Sequence, residues 1–210
     1  MRIDSRTKAR ALKDLSSHET RVRLRGASEL ARSAREIAPG DEAIRVALDI
    51  IKSGLDTIPS EYDDEAKLYD YLLDLVWQST DAAKGKRGEA AVVQAVWEEC
   101  EEVAWLLVEH PNLDMRLRYF GYNYLRDHGS LGDGTRLIRL AEKWKEVFAR
   151  GGRESGVDNH FQAIIGIGKR NQKLLPHVER LEEYLLTNDP NGQRAILARK
   201  AREQLQQRRD

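Results

Sequence analysis

Cysteine is almost absent from this chain of 210 residues, which has only Cys100. A single cysteine excludes an internal disulfide and any zinc site built from several cysteines, and it fits a reducing compartment. Cys100 falls in the middle of the apolar face of a predicted helix over residues 89–109. We therefore expect it to be an inert core thiol in a cytoplasmic protein.

Long apolar runs are missing as well. No run approaches the roughly 20 residues that a membrane-spanning helix needs. The first residues, Met1 to Arg6, lack the apolar stretch of a secretory signal peptide. Hydrophobic residues make up 40% of the chain and charged residues 33%, which is typical of a very soluble globular protein. We expect no membrane partner.

Metal-binding and catalytic motifs are equally scarce. No histidine has another histidine three or four positions away, the spacing that places two metal ligands on one helix face. The stretch Gly166-Ile167-Gly168-Lys169 resembles part of a phosphate loop, but Arg170 stands where that loop needs Ser or Thr. We expect close helix packing there, and we predict no metal, no cofactor and no catalytic residue. The histidines, expected on the surface or at helix ends, are His18, His110, His128, His160 and His177.

A net charge is also lacking, because 35 Lys and Arg balance 35 Asp and Glu. The charges are nevertheless segregated along the chain. Residues 1–40 have 10 basic and 5 acidic side chains, residues 41–114 have 6 and 18, and residues 115–210 have 19 and 12. This asymmetry indicates a basic partner for the middle, an acidic partner for the ends, or contact between the ends of one molecule and the middle of another.

Helical periodicity is present almost throughout, and no segment has the alternation of a strand. The pattern predicts an all-α fold of about ten helices joined by short turns, with neighbouring helices antiparallel. Pro39-Gly40 ends the second helix and Asp41 caps the third. The predicted helices cover 6–15, 19–37, 42–56, 61–82, 89–109, a segment ending at about 128, 133–150, 157–168, 173–187 and 191–207.

One sequence pattern occurs at least twice. Its clearest copy runs from Asp114 to Leu140, with Arg116-Leu117-Arg118, Gly121 and Leu125, followed by Gly132-Asp133 at the start of the next helix. The copy from Glu19 to Leu48 lies 95 positions earlier and has Arg21-Val22-Arg23, Gly26, Leu30 and Gly40-Asp41. A looser third copy runs from Asp189 to Leu205.

This pattern resembles the HEAT-repeat family. The resemblance implies a right-handed stack of antiparallel helix pairs, a HEAT-like α-solenoid, over a single domain of residues 1–210. Most members of that family are scaffolds or adaptors. The family's structural arginine is matched by Arg23 and Arg118, which we expect to bridge to an acidic residue in an adjacent turn, whereas Arg21 and Arg116 are freer to bind phosphate.

The acidic middle of the chain carries the leading functional hypothesis. Tryptophan surrounded by carboxylates suits a Lys- or Arg-bearing partner, through ion pairs at the rim and a cation–π contact at the centre. The opposing interpretation is that both tryptophans pack against neighbouring helices and the carboxylates form a solvated face. We predict a non-enzymatic scaffold, adaptor or inhibitor of a basic protein. Its binding residues would be Asp70, Asp74, Trp77, Glu98, Glu101, Glu102, Trp105 and Glu109.

Two alternatives use other parts of the chain. The basic N- and C-terminal repeats permit nucleic-acid binding, as in HEAT-like DNA glycosylases, although the neutral net charge argues against it. The spacing of Arg153 and His160 is similar to the Arg-to-His motif of the HEPN ribonucleases, in which the pair flanks a phosphodiester. The residues predicted for nucleic-acid binding are Arg21, Arg116, Arg136, Arg139, Lys143, Arg199 and Lys200.

Overall fold

The structure is a computed structural model, and it describes residues 3–54, 57, 62–83, 90–110, 113–144 and 155–207. These residues form α-helices and short 3-10 turns, and no strand occurs within those ranges, so the all-α prediction is confirmed. The ten α-helices of the described ranges are α1 (Ser5–Leu15), α2 (Thr20–Arg32), α3 (Glu42–Gly54), α4 (Asp64–Ala83), α5 (Ala90–Glu109), α6 (Met115–His128), α7 (Leu131–Glu142), α8 (Ser155–Arg170), α9 (Leu175–Asn188) and α10 (Gln193–Gln206).

Tertiary contacts divide the chain into two compact units, Met1–Leu106 and Leu107–Asp210. The single repeat domain over residues 1–210 and the right-handed solenoid both stay predictions.

The first unit is built around α4. This helix packs against α2 and α3 and against a 3-10 turn at Ala34–Glu36. Its sequence is apolar around most of its circumference, which predicts a helix enclosed by neighbours. The structure supports this, because the buried side chains of α4 extend over about half of its circumference, from Leu75 to Leu73, which point about 160° apart.

The second unit has α8 at its centre. Helices α6, α7 and α10 all pack against α8, and α9 packs against both α7 and α10. Phe161, Ile164 and Ile167 on α8 are completely buried. The glycines of the Gly166-Ile167-Gly168-Lys169 stretch permit this packing, since a Cβ at Gly166 would lie 2.6 Å from the Arg126 carbonyl oxygen. The stretch lies inside a packed helix, as expected.

Helix ends follow the capping chemistry of the sequence at several points. The Asp41 carboxylate accepts a hydrogen bond from the Ala43 backbone N–H at 3.0 Å at the start of α3. Ser130 and Asp133 form a reciprocal capping box on α7, which therefore begins at Leu131, before the predicted residue 133. At the other end of the chain the prediction was wrong by two residues. α10 begins at Gln193 because Asp189 instead ends α9 and accepts a hydrogen bond from Arg194.

The structural arginines of the repeated pattern are all engaged. Arg23 forms an ion pair of 3.2 Å with Glu65 in the first turn of α4, as predicted. Arg118 is buried and donates to the carbonyl oxygen of His110, so its partner is backbone instead of the expected carboxylate. In the third copy, Arg194 donates to the Ala141 carbonyl oxygen at 2.8 Å. Each arginine thus ties its helix to another segment.

Gly26 allows α1 and α2 to approach closely, and its replacement is expected to destabilise the fold. A Cβ at this position would lie 2.6 Å from the Ala11 carbonyl oxygen and 2.9 Å from the Asp14 Cβ. We expect Gly26→Ala to lower the free energy of unfolding by about 1–3 kcal/mol in urea denaturation, because backbone has to move. Gly132→Ala is the matched control, since its Cβ would meet only Ser130 Oγ at 3.4 Å. Equal stability of the two variants would contradict this account.

Candidate protein-binding surface

The exposed side of α5 is strongly acidic. Glu98, Glu99, Glu101 and Glu102 are all exposed and fall within two helical turns; we call these four residues the acidic face. Lys52 on α3 contacts two of them, at 3.2 Å from Glu99 and 3.1 Å from Glu102. Lys52 thus offsets part of the charge of Glu99 and Glu102, while all four glutamates remain exposed.

Lys52 itself remains a cation. Its partial burial alone would lower its pKa, but hydrogen bonds to Glu102 and Glu99 outweigh that effect and raise the pKa overall. The ammonium group therefore connects α3 to α5 and lies between the carboxylates of Glu99 and Glu102.

Trp105 is buried, and the structure thus decides between the two interpretations of this residue. Only 6% of its surface is exposed, whereas the neighbouring Leu106 is 41% exposed. Val92, Glu99 and Leu106 recur every seven positions and are all exposed, which places them along one edge of the solvent side of α5. Trp105 follows Glu98 by seven positions and lies on the same side of α5, so it is buried because other parts of the protein cover it there. It cannot serve as an exposed anchor for a partner.

Trp77 and the carboxylates of α4 are largely engaged within the first unit. The half-buried Trp77 ring meets the buried Trp97 ring edge to face, with centroids 5.7 Å apart. Asp70 accepts a hydrogen bond of 2.5 Å from the Tyr62 hydroxyl, and Asp74 accepts one of 3.1 Å from Gln78. The predicted α4 stripe therefore helps to hold the fold, and the aromatic pair connects α4 to α5.

Glu109 belongs to the second unit and is neutralised there. Arg136 donates to both of its carboxylate oxygens, at 2.9 and 2.6 Å. This two-bond pair removes Glu109 from the predicted acidic surface and Arg136 from the predicted nucleic-acid surface.

The other predicted basic residues are dispersed. Arg21 lies on α2 in the first unit and the rest lie in the second unit. Arg139 and Lys143 are exposed at the end of α7, whereas Arg199 and Lys200 are exposed on α10. Arg199 is paired with Glu182 at 3.4 Å. Arg116 is exposed at the start of α6, where its backbone N–H is capped by Asp114.

His160 lies in the core, which corrects the prediction that the histidines are at the surface. It is completely buried, and burial lowers its pKa to about 4 despite a hydrogen bond between Nε2 and the Leu137 carbonyl oxygen at 2.7 Å. A phosphodiester cannot reach this ring, so the ribonuclease hypothesis loses its histidine. Arg153, the other member of that pair, lies outside the described residues.

The cysteine and the possible metal ligands give no sign of a reactive site in the described residues. Cys100 is buried, and burial raises its pKa to about 12, so the thiol is inert as predicted. Within the described ranges no group of three or more His, Cys, Asp and Glu side chains could hold a metal ion. In the same ranges, no helix combines the length and apolar character that crossing a membrane requires.

Comparisons with known proteins identify no relative for this chain. No protein-family model matches the sequence, and neither the curated proteins nor the solved structures contain a significant match.

Sequence reasoning missed the apolar residues within the acidic surface. It selected Trp105 because this residue falls on the same helix side as the glutamates, and it overlooked Leu106 and Val92, which are each 41% exposed. Their spacing of seven from Glu99 was visible in the sequence and is a regular mark of one helix side.

Proposed function

We propose that this chain is a non-enzymatic adaptor or inhibitor that binds a basic protein through the acidic face of α5. The exposure of all four carboxylates on a packed helix is the observation that carries the proposal. Charged side chains at an interface speed association and select partners of opposite sign. The partner would be a protein that presents Lys and Arg.

Leu106 provides the apolar contact that a carboxylate cluster lacks. Charges at the rim of an interface contribute little affinity, whereas a desolvated apolar centre contributes more. The exposed Leu106 follows Glu102 by one helical turn on the same side of α5. In this arrangement the glutamates select the partner and Leu106 is covered by it.

We further propose that the two units consist of HEAT-like helix pairs in a cytoplasmic protein. The recurring pattern supports this, because Arg23, Arg118 and Arg194 each connect their helix to another segment. Scaffolding is a common role for repeats of helix pairs, whose exposed faces form extended binding surfaces.

Removing three of the four charges of the acidic face is expected to weaken partner capture. In Glu98→Gln/Glu101→Gln/Glu102→Gln the side chains keep their size, all three positions are exposed, and Lys52 keeps its ion pair with Glu99, so we expect the fold to be retained. Loss of three charges at an interface is expected to weaken binding by about tenfold or more. Affinity capture from nuclease-treated native lysate, followed by binding measurements with the purified basic protein, tests this.

The matched control removes the same charge elsewhere. Asp158→Asn/Glu183→Gln/Glu203→Gln alters three exposed carboxylates of the second unit and is expected to bind like the wild type. Leu106→Ala is expected to weaken binding without changing the salt dependence. Retention of the same basic protein by the face variant and the control variant alike would refute the proposal.

A further inference from the structure

A second surface of the first unit has the opposite charge. Helices α2 and α4 form the two sides of an open surface groove with a volume of about 420 Å³. Arg21, Arg25 and Arg32 line it from α2, and Lys67 lines it from α4. The cations of α2 lie at intervals of four and seven residues, which places them along one side of the helix over roughly 16 Å.

The acidic groups in this groove are already neutralised. Glu29 forms an ion pair of 3.0 Å with Arg10, and Asp64 forms one of 2.9 Å with Lys67. Arg25 is held by Asp14 at 3.0 Å. Lys67 and, more weakly, Arg21 lower the pKa of Asp64, but in the described part of the chain neither Arg21 nor Arg32 makes an ion pair in direct contact, and both side chains are exposed. The groove therefore keeps two arginines at its ends for an anionic ligand.

An aromatic ring lies in the same groove. Tyr71 is 38% exposed and follows Lys67 by one turn of α4. Exposed aromatic rings beside a cationic track stack the bases of unpaired nucleic acid, while arginine and lysine contact its phosphates. An acidic peptide would use the arginines but has no need of the ring.

We propose that the α2–α4 groove binds single-stranded nucleic acid, with Arg21 and Arg32 on the backbone and Tyr71 against a base. The groove lies between two directly packed helices, whose axes are about 8–10 Å apart, so it suits one strand better than a duplex. The neutral net charge of the chain does not oppose this, because the field that a ligand meets is local. This site is separate from the acidic face of α5.

The test uses fluorescence anisotropy of a labelled DNA of about 12 unpaired nucleotides, titrated with the full chain at several salt concentrations. We expect Arg21→Ala/Arg32→Ala to weaken binding about tenfold at roughly 0.05 M salt and to reduce the slope of log K against log salt by about 1.4. Tyr71→Ala is expected to lose about tenfold and Tyr71→Phe less than about twofold, since phenylalanine keeps the stacking face.

The control is Arg6→Ala/Arg45→Ala, which removes two exposed arginines of the same unit outside the groove. This variant and the glutamine variant of the acidic face are expected to bind the DNA like the wild type. Equal slopes for the groove and control variants would overturn the proposal. So would equally good displacement of the labelled DNA by a duplex or by poly-glutamate, which would show a general polyanion surface instead.

Discussion

Trp105→Ala is expected to destabilise the protein strongly. The indole is 6% exposed, and truncation of a buried tryptophan costs about 3–5 kcal/mol of unfolding free energy through lost burial and the cavity that remains. That is a large part of the roughly 5–15 kcal/mol by which a domain is stable. The melting temperature should fall by roughly 10 °C.

Leu106→Ala gives the matched comparison one residue further along α5. Its side chain is 41% exposed, so we expect a loss of less than about 1 kcal/mol. Urea unfolding followed by far-ultraviolet circular dichroism measures both variants. If the Trp105→Ala protein is as stable as Leu106→Ala, the indole is not a core residue. Trp105 would then again be a candidate for the binding surface.

These two neighbours also separate stability from recognition. Trp105 is expected to support the fold that presents the acidic face, whereas Leu106 is expected to contact the partner directly. Loss of capture in a Trp105 variant therefore says little unless its helicity is intact. Loss of capture in Leu106→Ala reports on the interface itself.

The sequence predicted the helices well because their determinants are local. Apolar periodicity and capping residues such as Asp41 and Ser130 act within a few positions, so they can be read without knowledge of the fold. The Arg23–Glu65 bridge was also accessible, since a repeated motif transfers the contact from one copy to the next. Local helix signals and a repeated motif can both be recognised in a single sequence.

The binding surface was predictable only in part, because it depends on which side of each helix is covered. Periodicity places Trp105 near the glutamates of α5, but only the tertiary packing shows that it faces inward. Glu109 and Arg136 are 27 positions apart in the sequence, and no local pattern predicts that they pair. The α2–α4 groove is likewise a product of packing, as it combines Arg21 with Tyr71 from a distant helix.

His160 is expected to make the protein sensitive to acid. Its ring is packed edge to face against Tyr122 and Trp144, with centroid distances of 5.5 and 5.2 Å. The Leu137 carbonyl oxygen can only accept, so Nε2 carries the proton of the neutral ring. Nδ1 has no hydrogen-bond partner, so a second proton there would place an unsolvated charge in the core.

The direction of the pH effect follows from the lowered pKa. Burial sets the pKa of folded His160 at about 4, below the value of about 6.5 in an unfolded chain. Between these values the unfolded state binds more protons, so stability is complete above about pH 6.5 and is lost as the pH falls toward 4. The full loss from this group is roughly 3 kcal/mol, of which roughly 2 kcal/mol falls between pH 7 and pH 5. Burial raises the pKa of Tyr122, which therefore stays neutral throughout.

His160→Gln removes the titrating group while keeping a polar side chain of similar length. We expect this variant to be less stable than the wild type at pH 7, because its amide replaces a packed ring, and to lose roughly 2 kcal/mol less between pH 7 and pH 5. Urea unfolding at both pH values measures the difference, and His18→Gln, at an exposed position, should retain the wild-type dependence. Parallel stability curves for the wild type and His160→Gln would show that His160 is not the acid-sensitive group. A difference confined to His160→Gln would assign acid sensitivity to the core of the second unit, which contains no residue of the acidic face or the α2–α4 groove.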